Sequence, residues 1–287
     1  MKLSIDSFSF HLHFGRHWFK PSVNYDLKWY CNKSRELGVD GIHVDPCHID
    51  LQKDLSWLKD YLVKHSMFIE LGGSGSSIQN LAPQIAAAKK LGSKILRTFI
   101  RGDCSAGRKE SAKNAMRAKK ELSESVKLAE DEGVIIAVED HLDVFLDDMR
   151  RLMEIDSPYL GICYDSGNFA AVGEDPVNAL RVLLERVVCT HLKDYCLPEK
   201  YADAIPFGLT GNKYHFCALG DGLLPVEQIV DILLSSKGKN THVTIEIHTP
   251  LRKSIGEKEL LDFEMNNATK SINIAKKIGE KYSKLSE

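Results

Sequence analysis

The chain has no CxxC pair and no spaced Cys/His set, so its seven cysteines (Cys31, Cys47, Cys104, Cys163, Cys189, Cys196 and Cys217) do not read as a zinc staple. They are odd in number, and several sit in apolar runs where a free thiol behaves as a small hydrophobe. That pattern points to a reducing, cytoplasmic setting. No apolar run approaches the roughly 18 residues that span a bilayer. The opening stretch MKLSIDSFSFHLHFG alternates apolar with polar residues and lacks the continuous apolar core of a secretory signal. A net charge of −2 supplies no global basic field, which argues against nucleic acid or an anionic membrane as partner. No linker, repeat or low-complexity tract divides the 287 residues, so one domain over 1–287 is expected.

Short β-rich runs alternate with longer helical patterns from end to end. The runs are Leu3–Phe8, Gly41–Asp45, Met67–Leu71, Lys94–Ile100, Val134–Glu139, Leu160–Asp165, Val187–His191 and Val243–Ile247. Each is mostly apolar, as in a parallel sheet covered on both faces. Between and after them, 3.6-residue periodicity marks Asn24–Leu37, Leu55–His65, Ile78–Leu91, Ala112–Glu132, Phe145–Ile155, Pro176–Glu185, Pro225–Ser235 and Lys258–Leu285. Gly92 and Gly133 follow two of these helices, and Pro176 opens another. Eight strands each followed by a helix predict an α/β chain folded as a single (β/α)₈ TIM barrel. The rival, an open doubly wound sheet, lacks its GxGxxG turn after the first strand. Tyr195–Gly222 is the one long connection, and loops of that length are usually functional.

Strands five to eight each end in a strong metal ligand: Glu139, Asp165, His191 and Glu246. The C-terminal ends of barrel strands are where such folds build active sites. If each ligand points inward, strand alternation turns Ala137, Ile135, Cys163, Gly161, Cys189 and Thr244 inward as well. Val138, Ile136, Tyr164, Ile162, Thr190, Val188, Ile245 and Val243 then face the helices. Any one carboxylate at a strand end is as readily a solvated loop residue or half of an ion pair as a ligand. Three converging without a cation would repel and hold raised pKa values. The reading is therefore one divalent ion held by Glu139, Asp165, His191 and Glu246. Three oxygen donors with one imidazole suit Mn²⁺ first, with Mg²⁺, Co²⁺ or Zn²⁺ as alternatives.

The motifs Val138-Glu139-Asp140-His141, Tyr164-Asp165-Ser166-Gly167-Asn168, His191-Leu192-Lys193-Asp194, Gly220-Asp221-Gly222 and Ile245-Glu246-Ile247-His248 fall in the C-terminal half. With Glu70-Leu71-Gly72-Gly73 earlier on, they resemble the xylose-isomerase-like barrel superfamily, in its sugar phosphate isomerase/epimerase branch. The resemblance implies metal-assisted proton transfer on a keto-sugar, with or without a phosphate. A divalent ion that holds the ketone oxygen and a neighbouring hydroxyl stabilises the enediolate. The resemblance makes Glu139 and Glu246 the catalytic pair that removes and returns the proton. Return at the same carbon epimerises, return at the neighbouring carbon isomerises, and loss of a β-hydroxyl dehydrates. A lyase acting on an inosose or a 3-keto sugar is thus the alternative at the same site. A small-molecule sugar is the expected partner, and relatives of this kind often form homo-oligomers. Two positions depart from the pattern. Asn168 stands where many relatives carry His, and no arginine follows His191-Leu192-Lys193-Asp194.

Candidate substrate-binding residues are Lys193, Asn168, His141, Arg101 and Trp18. Lys193 is an inward lysine two places beyond His191. Asn168 can hydrogen-bond a substrate oxygen. Arg101 follows the fourth strand and suits a hydroxyl or phosphate. Trp18 belongs with Phe8, Phe10 and Phe14 in an aromatic stretch that either walls a sugar pocket or packs a loop, as do His11, His13 and His17. His43, His48 and Glu70, each taken alone, read as satisfied polar residues, and Arg97 as the partner of Glu70 or Glu139. Asp194 is expected to orient Lys193 or His191. An endonuclease IV-like nuclease needs three zinc ions and further histidines that are missing at Asn168 and after Asp221. A non-catalytic sugar-binding subunit is the remaining class.

Overall fold

The computed structural model describes residues 1–15, 19–204, 213–238 and 241–285. Its strands are β1 (Lys2–Asp6), β2 (Gly41–Val44), β3 (Phe68–Gly72), β4 (Ile95–Thr98), β5 (Ile135–Glu139), β6 (Leu160–Asp165), β7 (Val187–Leu192), β8 (Asp194–Cys196), β9 (His215–Cys217) and β10 (His242–Ile245). The helices are α1 (Leu27–Glu36), α2 (Ser56–Lys64), α3 (Ile78–Leu91), α4 (Arg108–Glu132), α5 (Leu146–Leu152), α6 (Asn168–Ala171), α7 (Pro176–Leu183), α8 (Val226–Lys237) and α9 (Glu257–Leu285). Eight strands pair in parallel and close into a barrel in the order β1-β10-β7-β6-β5-β4-β3-β2. The fold is the expected (β/α)₈ barrel. No helix among the described residues is long and apolar enough to cross a membrane.

Local chemistry starts and stops the elements where the sequence suggests. Asp26 and Ser77 accept the N-terminal amides of α1 and α3, and Gly92 takes φ 81° to end α3. Asp175 accepts two amides at the start of α7, with Pro176 at its first position. The first strand stops at Asp6, short of Phe8. There the Asp6 carboxylate accepts the Phe8 amide at 2.6 Å and turns Ser7–Phe10 into a 3₁₀ helix.

Alternation sorts the two faces of the barrel wall. Ile5, Ile42, Leu71, Leu96, Val138, Ile162, Tyr164 and Ile245 join the main core against the helices. Ile95, Ala137, Cys163 and Cys189 form a separate cluster inside the barrel, which leaves only small side chains beneath the ligands of β5–β7. Val188 corrects the expected parity. The β6–β7 register shifts between Ile162 and Cys163, so Ile162 pairs Val187 while Cys163 pairs Cys189. A β-bulge of this kind places an extra residue out of alternation. Val188 consequently packs against the inner cluster and not the helices.

Two further features were not expected. The long connection Tyr195–Gly222 carries an antiparallel ribbon, β8 with β9, over its described residues. On the opposite flank, Glu264 of α9 accepts the amides of Leu12 and His13 and the His13 ring nitrogen at 2.6 Å. His11 contacts the Thr249 carbonyl at 2.9 Å. His11 and His13 thus pack the loop after β1.

Candidate metal centre and active-site cavity

Glu139, Asp165 and His191 lie on β5, β6 and β7, and Glu246 follows β10 directly. These are four consecutive strands of the closed barrel, with the two glutamates at the ends of the arc. One donor atom from each residue lies within 4.8 Å of the others, and all four residues are buried. His191 Nδ1 stands 2.6 Å from Glu246 Oε2, 3.3 Å from Glu139 Oε1 and 4.0 Å from Asp165 Oδ2. Yet Glu139 Oε2, Asp165 Oδ2, His191 Nδ1 and Glu246 Oε2 all lack a hydrogen-bond partner, because the atoms converge without bonding angles. Buried polar atoms left unsatisfied are costly. The four residues together offer a donor set that a divalent cation would satisfy.

Two buried cations sit among these carboxylates. Lys193 Nζ lies 2.6 Å from Asp165 Oδ2, in an ion pair without hydrogen-bond alignment, and 3.1 Å from Glu246 Oε1. Arg97 reaches Asp45 at 3.0 Å and Glu139 at 3.3 Å; Glu139 was one of its two expected partners. Glu70, the other, instead meets His242 at 2.8 Å and Thr244 at 3.1 Å. Burial raises Glu139, but Arg97 and His191 outweigh it and hold the carboxyl well below its ordinary range. Glu246 is likewise lowered, with Lys193 and His191 overcoming burial. Asp165 goes the other way: burial pushes it up to about 6 against the pull of Lys193. Asp6, at the end of β1, is raised above its ordinary value by burial and by Glu246 and Asp45, against the pull of His191 and Arg97. Four carboxylates (Asp45, Glu139, Asp165, Glu246) against Lys193 and Arg97 leave a formal −2 once His191 offers a neutral imidazole to an ion. One divalent ion balances that charge.

Above the cluster opens a cavity of about 400 Å³ at the C-terminal mouth of the barrel. Glu139, Glu246, Lys193, Asn168 and His141 all line it, within walls that include Phe8, Phe99 and Phe216. Asn168 Nδ2 donates to Glu139 Oε1 at 3.3 Å, and its amide to Asp165 Oδ1 at 3.2 Å. The His141 ring stacks on Phe99 at 4.8 Å. Arg101 is not among the lining residues; it is exposed, with φ 57° and its Nε on Ser74 Oγ at 3.2 Å. Trp18 and His17 lie outside the described residues.

Lining residues absent from the candidate set include Asp45, Cys47, Phe216 and His248. Asp45 follows β2 just as Glu246 follows β10, so the strand-end rule applied to the first four strands would have found it. Phe216 sits on β9, inside the connection that showed no periodicity. Asp194 also corrects an expectation. It touches neither Lys193 nor His191 through its carboxylate, which accepts the amides of Tyr195, Gly220, Gly222 and Leu224 at 2.8 to 3.1 Å. Burial raises it nonetheless. A Cβ on Gly222 would fall 2.1 Å from Asp194 Oδ1, which explains the glycine of Gly220-Asp221-Gly222.

Residues 33–265 match the family described as xylose isomerase-like TIM barrel. The chain is 26% identical to the 3-oxo-isoapionate decarboxylase of Pectobacterium atrosepticum over 205 residues, which cover 71% of this chain and 70% of that protein. Inosose dehydratase 2 of Bacillus cereus is 27% identical over 126 residues, 41% of this chain and 42% of that one. Among solved structures, the IolI protein with a bound zinc atom superposes with a TM-score of 0.68 at 16% identity, covering 95% of this chain and 98% of that one. Matched over most of its length, the chain belongs to the xylose isomerase-like TIM barrel family.

Proposed function

We propose that this protein is a divalent-metal-dependent enzyme that removes a proton beside the carbonyl of a keto-sugar and returns it, as an isomerase or epimerase. The observation that carries this reading is the convergence of Glu139, Asp165, His191 and Glu246, with the two glutamates flanking the other donors. A divalent ion held there, Mn²⁺ in the first place, supplies Lewis-acid polarisation of the carbonyl. Glu246 and Glu139 approach a substrate carbon from the two ends of the arc. One takes the proton, and the other delivers it from the other side. Lys193, close to Asp165 and Glu246, places a buried positive charge where oxyanion character develops. Asn168 and His141 offer hydrogen bonds to hydroxyls, and Phe8, Phe99 and Phe216 give apolar faces to the carbon skeleton.

A lyase reading has its own support: the two relatives named above are a decarboxylase and a dehydratase. In a dehydration the electrons of the enolate expel a β-hydroxyl, which leaves as water with a proton from an acid such as Lys193. In a decarboxylation the bond to a carboxylate beside the carbonyl-bearing carbon breaks, CO₂ leaves and the resulting enolate takes a proton at carbon. The test is metal content and product analysis together. Protein purified without chelator, and its Glu246→Gln and His191→Ala variants, are assayed for bound metal. Ketoses and 3-keto sugars are then incubated in heavy water. About one ion per chain, lost in the variants, with deuterium entering a recovered sugar supports isomerase or epimerase. An unsaturated or shortened product assigns the lyase. No bound ion, and none taken up on titration, overturns the metal reading.

A further inference from the structure

Beside the four donors, on the wall formed by β1, β2 and β3, lie buried polar residues that the proposed reaction leaves without a role: Asp6, His43 and Glu70. His191 touches both groups. Its Nδ1 faces the carboxylates of the cluster. Its Nε2 lies 3.4 Å from His43 Nδ1 in a hydrogen bond and 3.9 Å from Asp6 Oδ2. The two rings meet edge to face, at 83° with centroids 4.6 Å apart. On the far side, His43 Nε2 faces Asp6 Oδ2 at 3.5 Å, a close approach short of a hydrogen bond between two buried atoms that have no other hydrogen-bond partner. The other Asp6 oxygen is pinned by the Phe8 amide at 2.6 Å. His43, His191 and Asp6 are closed off from solvent.

These distances decide where protons sit. An imidazole that offers the Nδ1 lone pair to an ion carries its proton on Nε2. For His191 that N–H points to His43 Nδ1. His43 accepts there only if its own proton is on Nε2, and the acceptor facing Nε2 is Asp6. Glu70 Oε2 is the competing partner of His43 Nδ1, at 3.6 Å against 3.4 Å for His191 Nε2, and it also accepts from Thr244.

We propose that His43, held in turn by Asp6, is a positioning residue that fixes the tautomer and ring orientation of His191 for metal binding. The proposal rests on the metal reading above and adds a residue outside the ligand set. Groups that bond the outer nitrogen of a ligating histidine typically change metal affinity about 10–100-fold when removed.

The test titrates Mn²⁺ alone into metal-free wild type, His43→Leu and His43→Asn, with thermal unfolding followed in parallel. Leucine occupies much of the ring's space but accepts no proton, whereas asparagine sets an amide oxygen near the position of Nδ1. The Mn²⁺ dissociation constant is expected to rise about 10–100-fold in His43→Leu and to recover most of that loss in His43→Asn. A folded His43→Leu protein that binds Mn²⁺ like wild type overturns the proposal. Equal losses in both variants do so too, because they mark a packing role. Where His43→Leu fails to fold, nitrogen-15 histidine spectra of the Zn²⁺-loaded wild type decide. Protons on Nε2 of both His191 and His43 are expected, and a proton on Nδ1 of His43 refutes the relay. A wild type that binds neither ion overturns the metal reading itself, and this inference falls with it.

Discussion

At the scale of single residues, Lys193 carries the sharpest consequence. Burying an ammonium is expensive unless counter-charges surround it, and Asp165 and Glu246 do so at 2.6 and 3.1 Å. Burial works to lower its pKa, but Asp165 and Glu246 prevail and keep the lysine charged. Its charge compensates the acid cluster without ligating an ion, so its removal should separate binding from chemistry. Lys193→Met is expected to retain about one ion per chain, since it makes the donor site more negative. Turnover should fall about 10²–10³-fold, the usual loss when a group stabilising a developing oxyanion is removed. Metal analysis beside a deuterium-exchange assay checks both halves. A variant that loses the ion along with activity would make Lys193 a support for the site's assembly and nothing more.

At the scale of elements, the barrel strands were legible because burial on both faces leaves short apolar runs that stand out between helical periods. The convergence of the four candidate ligands was legible because alternation and strand ends obey one simple geometry. What stayed hidden was irregular. The bulge at Val188 has no sequence mark, since valine suits either face of a strand. The β8–β9 ribbon has only three residues in each strand, too few for a period to show. Its placement depends on Asp194, whose four accepted amides tie β8 to the turn around Gly222. That carboxylate does for the loop what caps do for helices. Asp194→Ala would leave these amides unpaired, so a loss of about 2–3 kcal/mol is expected in urea unfolding. Lys193 directly precedes the ribbon and Phe216 lies within its pairing, so catalytic rate should drop while ion content stays at the wild-type level. An Asp194→Ala protein as stable as wild type would show that water replaces the carboxylate at no cost.

At the scale of the whole molecule, the barrel is a stable frame holding an unstable charge arrangement, and pH tests that balance. Asp165 is the informative group, its carboxyl pushed up to about 6 by burial despite Lys193. Its folded pKa exceeds its unfolded value. Its favourable share of metal-free stability is therefore present at pH below about 4 and is lost as pH rises through 6. A divalent ion requires the same carboxyl to be ionised, so binding releases that proton and weakens as pH falls. Added Mn²⁺ should accordingly raise the melting temperature most above pH 6. Stabilisation there follows the ratio of free ion to dissociation constant, about 2.7 kcal/mol at a hundredfold excess. Below pH 6 the affinity should decline roughly tenfold per pH unit, and the shift in melting temperature should shrink with it. Melting curves with and without Mn²⁺ from pH 5 to 8 measure this directly. A shift that is the same at pH 5 and pH 7.5 would mean that the bound ion does not draw on Asp165, and that it sits outside the cluster of Glu139, Asp165, His191 and Glu246.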